Sequence, residues 1–325
     1  MAKRAFITGG TGFVGANLAR TLLQKGHEVY LLARTGHKSW RIEGILKDIH
    51  LIEVDLRDRE GLDQVMDKIR PEWVFHLASY GAYPFQTDSI SMVDTNLTGT
   101  INLVDACLKT GFETFVYAGS SSEYGFKDHA PLETELLKPN SPYAVTKAAA
   151  THFCGYTARS TGMKLCTLRL YSVYGPFEEP SRLIPSLIIN GMEGRLPPLV
   201  NPTIGRDFVY VDDVCQAFLL VADQSDQEAG AVYNVGSGIQ VTIEEAVETT
   251  RRLMKIPADP VWGSMLERKW DTNVWVSNPE KIHTKTGWTA SYSFDAGLQE
   301  TISWFNRNPV YLDFYIKTSQ NKSIN

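Results

Sequence analysis

The chain has 325 residues, of which 43% are hydrophobic and 21% are charged, and its formal net charge is −5 at pH 7. These values are ordinary for a soluble globular protein, and the negative charge gives no electrostatic reason to expect nucleic acid or an anionic membrane as a partner. No apolar run approaches the roughly 20 residues that span a bilayer, so we expect no membrane partner.

Strands and helices alternate from the first residues onwards. "RAFIT" is a short β-prone run, "GGTG" is turn material, and "FVGANLARTLLQKG" has apolar residues at helical spacing. Further strands with nearly continuous apolar cores are predicted at "HEVYLLAR", "IHLIEVDL", "PEWVFHLAS", "TFVYAGS" and "KLCTLRLYS". This alternation predicts an α/β fold whose parallel, doubly wound sheet is covered by helices on both faces.

A glycine turn follows the first predicted strand. Its glycines form G-x-x-G-x-x-G where the strand ends and the helix begins. Glycines let the backbone turn tightly and approach a pyrophosphate, whose charge then lies against the N-terminus of the helix. We therefore predict a dinucleotide site at Gly9, Thr11, Gly12, Phe13, Val14 and Gly15.

The end of the second strand bears on the choice of dinucleotide. NAD enzymes usually place a carboxylate there to accept from the ribose hydroxyls. Here the strand ends Leu32-Ala33-Arg34, and the next acid is Glu43. Arg34 can pair with a 2′-phosphate that an aspartate would repel. The sequence thus favours NADP(H), with NAD(H) as the alternative.

"SPYAVTK" holds a tyrosine and a lysine four residues apart. On a helix, Tyr143 and Lys147 project from the same face. An ammonium near a phenol favours the phenolate, so we predict that Lys147 lowers the pKa of Tyr143 from its usual value of about 10. The spacing is common by chance, and it gains weight from the glycine turn and the serine cluster upstream. Together they predict a proton shuttle beside a hydride carrier.

These motifs together resemble the extended short-chain dehydrogenases/reductases of the NAD-dependent epimerase/dehydratase (nucleotide-sugar) family. The resemblance covers about residues 3–305 and also includes "DLRD", "HLAS", "TNLTGT", "RLYSVYGP", "RDFVYVDD" and "YNVGSG". It implies a Rossmann domain over residues 1–174, which also receives later segments at about 206–240. The smaller C-terminal α/β portion, mainly 175–325, would bind the nucleotide sugar.

The resemblance also implies roles for individual residues. Asp55 and Leu56 would lie near the adenine, Leu77, Ala78 and Ser79 would line the nicotinamide ribose, and Tyr171 and Val173 would flank the nicotinamide. Tyr143, Lys147 and a donor, Ser120, would be catalytic, and Lys147 would also hold the ribose. The expected substrate contacts are Tyr80, Ser122, Ser172, Arg182, Arg206 and Arg268, of which the arginines would bind the sugar pyrophosphate.

"YAGSSSEYG" decides which reaction the resemblance favours. Dehydratases of the family have a T-D-E-x-Y-G pattern, in which a carboxylate pair moves the protons of water elimination. Aligned without a gap on Tyr124, the donor is Ser120, serines occupy both carboxylate positions, and Glu123 takes the place of a neutral residue. Because successive strand residues face opposite sides, we expect Glu123 to turn away from the sugar. A one-residue deletion would instead restore a Ser-Ser-Glu order, as in mannose-type dehydratases.

The ungapped register favours a 4-ketoreductase of a nucleotide-diphosphate (NDP) 4-keto-6-deoxyhexose. The alternative is an NDP-sugar epimerase with tightly bound NAD, and a 4,6-dehydratase is the third possibility. A non-catalytic dinucleotide-binding scaffold is disfavoured because all three catalytic residues are present. The expected partner is an NDP-sugar, whose base and sugar the sequence does not specify.

Assembly, location and metal content are predicted from coarser signals. By resemblance, the helices of "TNLTGTINLVDACLKTG" and "YAVTKAAATHFCGYTARS" would form the interface of a homodimer. The four cysteines lack CxxC spacing, which predicts buried free thiols in a reducing cytoplasm. The seven histidines lack ligand spacing, so no metal site is predicted.

Overall fold

Seven parallel strands form the central sheet within the part of the chain that the computed structural model describes, namely residues 1–224, 226, 228–266, 268 and 271–322. The strands of the described residues, in the central sheet and in two smaller sheets, are β1 (Arg4–Thr8), β2 (Glu28–Ala33), β3 (His50–Glu53), β4 (Trp73–His76), β5 (Thr114–Ser120), β6 (Leu165–Leu170), β7 (Ser172–Tyr174), β8 (Gly205–Arg206), β9 (Phe208–Tyr210), β10 (Val232–Val235) and β11 (Val241–Thr242). The central sheet has the order β10-β6-β5-β4-β1-β2-β3. This order confirms the predicted doubly wound fold, because the chain leaves β1 in one direction and returns to β4 on its other side.

Helices cover both faces of this sheet. The helices of all described residues, including those of the second layer, are α1 (Phe13–Gln24), α2 (Arg59–Ile69), α3 (Ser89–Val93), α4 (Gly99–Thr110), α5 (Pro142–Thr161), α6 (Leu183–Met192), α7 (Val211–Asp223), α8 (Ile243–Met254), α9 (Glu280–Thr286), α10 (Phe294–Arg307) and α11 (Pro309–Lys322). A single turn of π-helix, Asp94–Thr98, joins α3 to α4. Short turns of 3₁₀-helix lie at Glu43–Ile45 and Ser121–Tyr124.

Two apolar clusters hold the helices against the sheet. One contains Leu18 of α1 and Val214 of α7, and the other contains Leu62 of α2, Leu103 of α4 and Cys154 of α5. The strands between them are buried on both faces, which explains their nearly continuous apolar sequences. All four cysteines are buried, as predicted.

The later part of the chain forms a second layer with its own cores. The pairs β7–β9 and β8–β11 are small two-stranded sheets, and α6, α8, α10 and α11 contribute to the clusters beside them. Strand β10 returns to the edge of the central sheet beside β6. The domain limits expected from the sequence stay a prediction.

The helices are also informative about membranes. No helix within the described ranges is both long and apolar enough to cross a bilayer. The cytoplasmic location expected from the sequence stays a prediction.

Candidate active site

The glycine turn between β1 and α1 leaves a bare backbone surface at the carboxyl edge of the sheet. Gly9 has φ +71°, and a Cβ there would lie 2.6 Å from the backbone nitrogen of Ala78. A Cβ on Gly15 would lie 2.3 Å from the carbonyl oxygen of Gly9. Gly12 is the N-cap of α1, and Phe13 and Val14 begin its first turn. The cradle fits a diphosphate, because side chains are excluded and the positive end of the helix dipole faces it.

Charged side chains gather at the ends of β2 and β3. Arg34 is exposed and follows the last residue of β2 directly. Both Asp55 oxygens accept from the exposed Arg57, from Nε at 2.9 Å and from Nη2 at 2.8 Å. These bonds lower the pKa of Asp55, and the nearby Arg34 adds to the effect. Two guanidinium groups therefore flank the position that the resemblance assigns to the adenosine, beside the buried Leu56.

The segment after β4 runs past the glycine turn. Leu77 N donates to Thr8 O at 3.1 Å, and Ala78 N lies 3.3 Å from Thr8 Oγ1. Tyr80 is anchored through its backbone, which exchanges two hydrogen bonds of 2.8 Å with the Asn96 amide. Leu77 and Ala78 thus lie beside the glycine turn. That Leu77, Ala78 and Ser79 line the nicotinamide ribose stays a prediction.

Helix α5 carries the tyrosine–lysine pair. Its N-cap, Ser141, accepts from Ala144 N, and Pro142 occupies the first helical position. Lys147 is 2% exposed, donates from Nζ to Ala118 O at 2.6 Å and lies 4.2 Å from the centroid of the Tyr117 ring. Burial lowers the pKa of Lys147 to about 8. The ammonium is therefore fixed beneath the end of β5.

Tyr143 lies one turn before Lys147, with the hydroxyls of Ser120 and Ser79 close to its phenol. Burial raises the pKa of Tyr143 to about 12, against the opposing hydrogen bonds of Ser120 and Ser79. The sequence predicted that Lys147 lowers this pKa. That prediction is wrong, because the loss of hydration around the phenol raises the pKa by more than a nearby positive charge lowers it. At neutral pH the phenol holds its proton.

The serine cluster forms the turn after β5. Ser120 is the last strand residue, and Ser121–Tyr124 is a 3₁₀ turn. Ser122 N donates to Ser120 Oγ at 3.2 Å, and the hydroxyl oxygens of Ser120 and Ser122 lie 2.8 Å apart. Ser120, Tyr143 and Lys147, predicted from separate segments, are thus brought together around the end of β5.

Glu123 points into the protein interior. It is 0% exposed, and its Oε1 accepts from Ser120 N at 2.8 Å and from Thr151 Oγ1 at 3.0 Å. Its Oε2 accepts from Arg169 Nε at 2.9 Å, in an ion pair whose arginine is 3% exposed. This burial agrees with the ungapped register. The physical reason differs from strand alternation, because Glu123 and Ser120 form the capping box of the 3₁₀ turn.

Tyr171, Ser172 and Val173 follow β6 and enter β7. Tyr171 is 7% exposed, and its hydroxyl has no hydrogen-bond partner among the described residues. Ser172 N donates to Asp207 O at 2.9 Å, which ties this strand to β9. The carboxylate of Asp207 is fully buried and accepts from the Ser237 and Ser277 hydroxyls at 2.6 and 2.5 Å. Asp207 therefore holds "RDFVYVDD" against "YNVGSG", a structural role that the motif alone did not reveal.

The three predicted substrate arginines lie near one another. The charge of Arg182 acts on both Arg206 and Arg268, whose pKa values are lowered mainly by burial. Arg206 Nη2 pairs with Asp271 Oδ1 at 2.5 Å, and Arg268 N donates to Asp271 Oδ2 at 2.9 Å. Arg182 also acts electrostatically on Tyr143. This cluster fits a diphosphate at a short distance from the phenol.

A buried glutamate beside this cluster was not predicted from the sequence. Glu178 is 6% exposed, its Oε1 lies 3.9 Å from Arg182 Nε, and its Oε2 has no partner among the described residues. Burial raises the pKa of Glu178 to about 8 despite the opposing charges of Arg182 and Arg41. The only sequence signal was a pair of acids between two prolines, "PFEEP".

Comparison with known proteins places this arrangement in a family. The family model described as "NAD dependent epimerase/dehydratase family" matches residues 5–236 of the chain. The chain belongs to this family. Membership confirms the resemblance, and with it the prediction of a nicotinamide-dependent enzyme.

Members of the epimerase/dehydratase family that resemble this chain differ in their reactions. The chain is 30% identical to the GDP-6-deoxy-D-mannose reductase of Pseudomonas aeruginosa, with 94% of this chain and 99% of that protein covered. It is 26% identical to a probable dTDP-glucose 4,6-dehydratase of Sinorhizobium fredii, over 94% and 93% of the two chains. The solved Thermus thermophilus UDP-glucose 4-epimerase in complex with NAD matches with a TM-score of 0.83 and 29% identity, over 93% and 99%. The identities to the reductase, the dehydratase and the epimerase are similar. They therefore show the family and do not distinguish among these three reactions.

Proposed function

We propose that this chain is an NADPH-dependent reductase of the C4 carbonyl of an NDP-4-keto-6-deoxyhexose. The observation that carries the proposal is the burial of Glu123 in an ion pair with Arg169. Water elimination needs a carboxylate to remove a proton from the sugar, and serines occupy the positions where dehydratases carry their acid and base. The hydroxyl of serine is too weak a base to replace a carboxylate. The site keeps the groups for hydride transfer and lacks those for elimination.

The protonation state of Tyr143 supports reduction. With a pKa of about 12, the phenol begins the reaction as an acid, which is the form that donates a proton to a carbonyl oxygen. A bound NADPH would supply the hydride to the carbonyl carbon. Tyr143 then protonates the 4-oxygen, and Ser120 donates its single proton in a hydrogen bond to the Tyr143 oxygen as negative charge develops there. Lys147 holds the nicotinamide ribose and stabilises the phenolate that remains.

The arginine cluster orients the substrate. Arg182, Arg206 and Arg268 bind the two phosphates, which fixes the distance from the nucleotide to the hexose ring. Guanidinium groups suit this role because their paired donors match phosphate oxygens. Tyr80 and Ser172 complete the sugar pocket in this proposal.

The adenosine end supports NADPH. Arg34, exposed at the end of β2, would face a 2′-phosphate, and the nearby Asp55 carboxylate is already engaged by Arg57. We expect Arg34→Ala to raise the dissociation constant of NADPH about tenfold or more, because a charge-assisted hydrogen bond contributes about 1.5–3 kcal/mol. The affinity for NADH should stay close to the wild-type value. Equal losses for both cofactors would contradict the proposed 2′-phosphate contact.

The rival reaction is NDP-sugar epimerisation with retained NAD. The observation in its favour is the fold match to an epimerase solved with NAD. The two proposals differ in what the purified enzyme carries. Retained NAD⁺, identified by mass spectrometry of the released dinucleotide, would support epimerisation, whereas an empty site that NADPH fills would support reduction.

The decisive assay supplies 4-keto sugars directly. GDP-4-keto-6-deoxymannose and dTDP-4-keto-6-deoxyglucose, each made by a separate dehydratase, are incubated with NADPH, and products are identified by NMR. Tyr143→Phe should lower kcat by about 10²–10⁴ because it removes the acid. The matched control is Tyr156→Phe, a tyrosine on the same helix that is 67% exposed. Formation of a 4-keto-6-deoxy product from an NDP-hexose would overturn the proposal in favour of dehydration.

We also propose that the protein is a homodimer that pairs through α5, as expected from the sequence, and through α3 in place of the expected α4, whose large apolar side chains are buried or half-buried. Ile90 and Val93 on α3 are 69% and 40% exposed, and Val145 and Tyr156 on α5 are 51% and 67% exposed. Four large apolar side chains on adjacent helices favour association. Light scattering should give a dimer for the wild type and a monomer for Val145→Glu. A monomeric wild type would contradict the proposal.

A further inference from the structure

Ser122 contacts the Ser120 hydroxyl through both its backbone nitrogen and its own hydroxyl. Its backbone nitrogen donates to Ser120 Oγ at 3.2 Å, and its hydroxyl oxygen lies 2.8 Å from the same atom. A serine hydroxyl has one proton and two lone pairs. When both lone pairs of Ser120 accept from Ser122, the single Ser120 proton is left for Tyr143, to which Ser120 is hydrogen-bonded.

The three hydroxyls form a chain that leads away from the phenol. Tyr143, Ser120 and Ser122 are each partly exposed, whereas Ser121 and Glu123 are buried. In the proposed complex the cofactor and the 4-keto sugar would cover the Tyr143 phenol. The other groups around Tyr143 are engaged or covered. Lys147 donates to Ala118 O, and Ser79 lies where the proposed cofactor would cover it. The described contacts therefore connect the phenol to partly exposed protein surface through Ser120 and Ser122.

We propose that Ser122 is a positioning residue that orients the Ser120 proton and continues the path by which Tyr143 regains a proton from solvent. The proposal rests on the proposed ketoreduction, which consumes one hydride and one proton in each turnover. Tyr143 gives its proton to the 4-oxygen, Ser120 gives its proton to the phenolate, Ser122 replaces the proton of Ser120, and water replaces that of Ser122. The carbonyl becomes an alcohol, NADPH becomes NADP⁺, and no other bond changes.

The chemistry of serine suits such a path. Because its hydroxyl is a very weak acid, the protons move together and no alkoxide accumulates. Each hydroxyl can rotate about its C–O bond and accept the next proton. An epimerase that keeps its cofactor takes up no net proton, so a conducting path to solvent is a requirement of reduction.

The test compares Ser122→Ala with the conservative Ser122→Thr in the NADPH-loaded enzyme. Ser122→Ala should lower kcat about tenfold or more, at the lower end of what general acid catalysis contributes, with KM for the 4-keto sugar nearly unchanged. Its solvent deuterium isotope effect should increase, and imidazole, a small diffusible acid, should restore part of the rate. Ser122→Thr keeps the hydroxyl and should show wild-type kcat and isotope effect. NADPH binding and thermal unfolding serve as the folding control.

Several outcomes would overturn the proposal. One is a Ser122→Ala enzyme with unchanged kcat and isotope effect, and another is a rise in KM alone, which would indicate only a substrate contact. If the alanine variant does not fold, Ser122→Cys, which keeps the size but bonds weakly, is held to the same criteria.

A wild type that reduces neither 4-keto sugar would defeat the proposed function separately. The path is then measured by stopped-flow mixing of the NAD-loaded enzyme with UDP-glucose, with reduced-nicotinamide absorbance and a pH-indicator dye as readouts. Proton release that accompanies hydride transfer in the wild type and lags behind it in Ser122→Ala would support the path. No release in the wild type would overturn it.

Discussion

Two buried glutamates, Glu123 and Glu178, show that burial alone does not indicate what a carboxylate does. Glu123 lies under the serine turn, where an arginine, a threonine and a backbone nitrogen occupy its oxygens. Glu178 lies between β7 and α6, where one oxygen is 3.9 Å from Arg182 and the other has no partner among the described residues. A buried charge is tolerated when it is paired, and an unpaired acid tends to hold its proton instead.

Because only Glu123 is fully paired, the two glutamates have different roles. Glu123 and Arg169 form a fixed ion pair that continues through a 2.8 Å bond from Arg169 Nη1 to the Tyr124 hydroxyl. That network supports the strand end on which Ser120 is placed. Burial raises the pKa of Glu178 to about 8, so this carboxyl tends to hold its proton at neutral pH, when it competes little with a phosphate for Arg182. Separate substitutions of Glu123, its partner Arg169 and Glu178 test whether the two carboxyls differ in this way.

The largest effect is expected from removing the partner of Glu123. Arg169→Met should lower the free energy of unfolding by about 3–5 kcal/mol, because it leaves an uncompensated charge in the interior. Urea unfolding followed by circular dichroism measures the loss. The double variant Glu123→Gln/Arg169→Met should lose less than the sum of the two single variants. A cost of Arg169→Met below about 1 kcal/mol would show that the pair behaves like a surface ion pair.

A smaller, pH-dependent effect is expected at Glu178. Its pKa is raised from 4.5 to about 8, so the unfolded chain loses this proton at lower pH than the folded protein does. Burial of Glu178 therefore lowers the free energy of unfolding progressively as pH rises from about 5 to about 8. Glu178→Gln mimics the neutral acid, so its stability relative to the wild type should rise over this window. The gain should reach about 2–4 kcal/mol at pH 9 and vanish near pH 4.

The adjacent Glu179 is the matched control. Its Oε2 accepts from Arg41 Nη2 at 3.1 Å, so Glu179→Gln should cost about 1–3 kcal/mol. Its cost should change between pH 6 and pH 9 much less than the effect of Glu178→Gln, and only because the charge of Glu179 raises the pKa of Glu178. Denaturant unfolding of both variants and the wild type across that range makes the comparison. A flat pH response of Glu178→Gln would mean that Glu178 is ionised in the folded protein and paired with Arg182.

The features that could be predicted from the sequence are local ones. The glycine turn, the four-residue spacing of Tyr143 and Lys147, and the strand β5 that ends at Ser120 each depend on adjacent residues. What could not be predicted depends on distant partners. Glu123 finds Arg169, 46 residues away, and Arg41 joins Glu179 across 138 residues.

The pKa of Tyr143 shows why such distant contacts matter. The sequence places a positive charge nearby but does not show how completely the fold removes water from the phenol. That loss of hydration reverses the predicted direction of the shift. The orientation of Glu123 was predicted correctly from the register, yet it arises from a 3₁₀ turn that strand alternation does not describe.

The smallest effect is expected on turnover when Glu123 itself is changed. Glu123→Gln removes the charge but keeps an oxygen that can accept from Ser120 N, so the position of the Ser120 hydroxyl should be preserved. The variant should lose stability because Arg169 becomes unpaired. Its kcat for ketoreduction, normalised to the NADPH-binding fraction of the sample, should nevertheless stay close to the wild-type value. A carboxylate that moves a proton of the sugar would instead lose about 10²–10⁴ in kcat, and such a loss would return Glu123 to the reaction and make a dehydratase the better assignment.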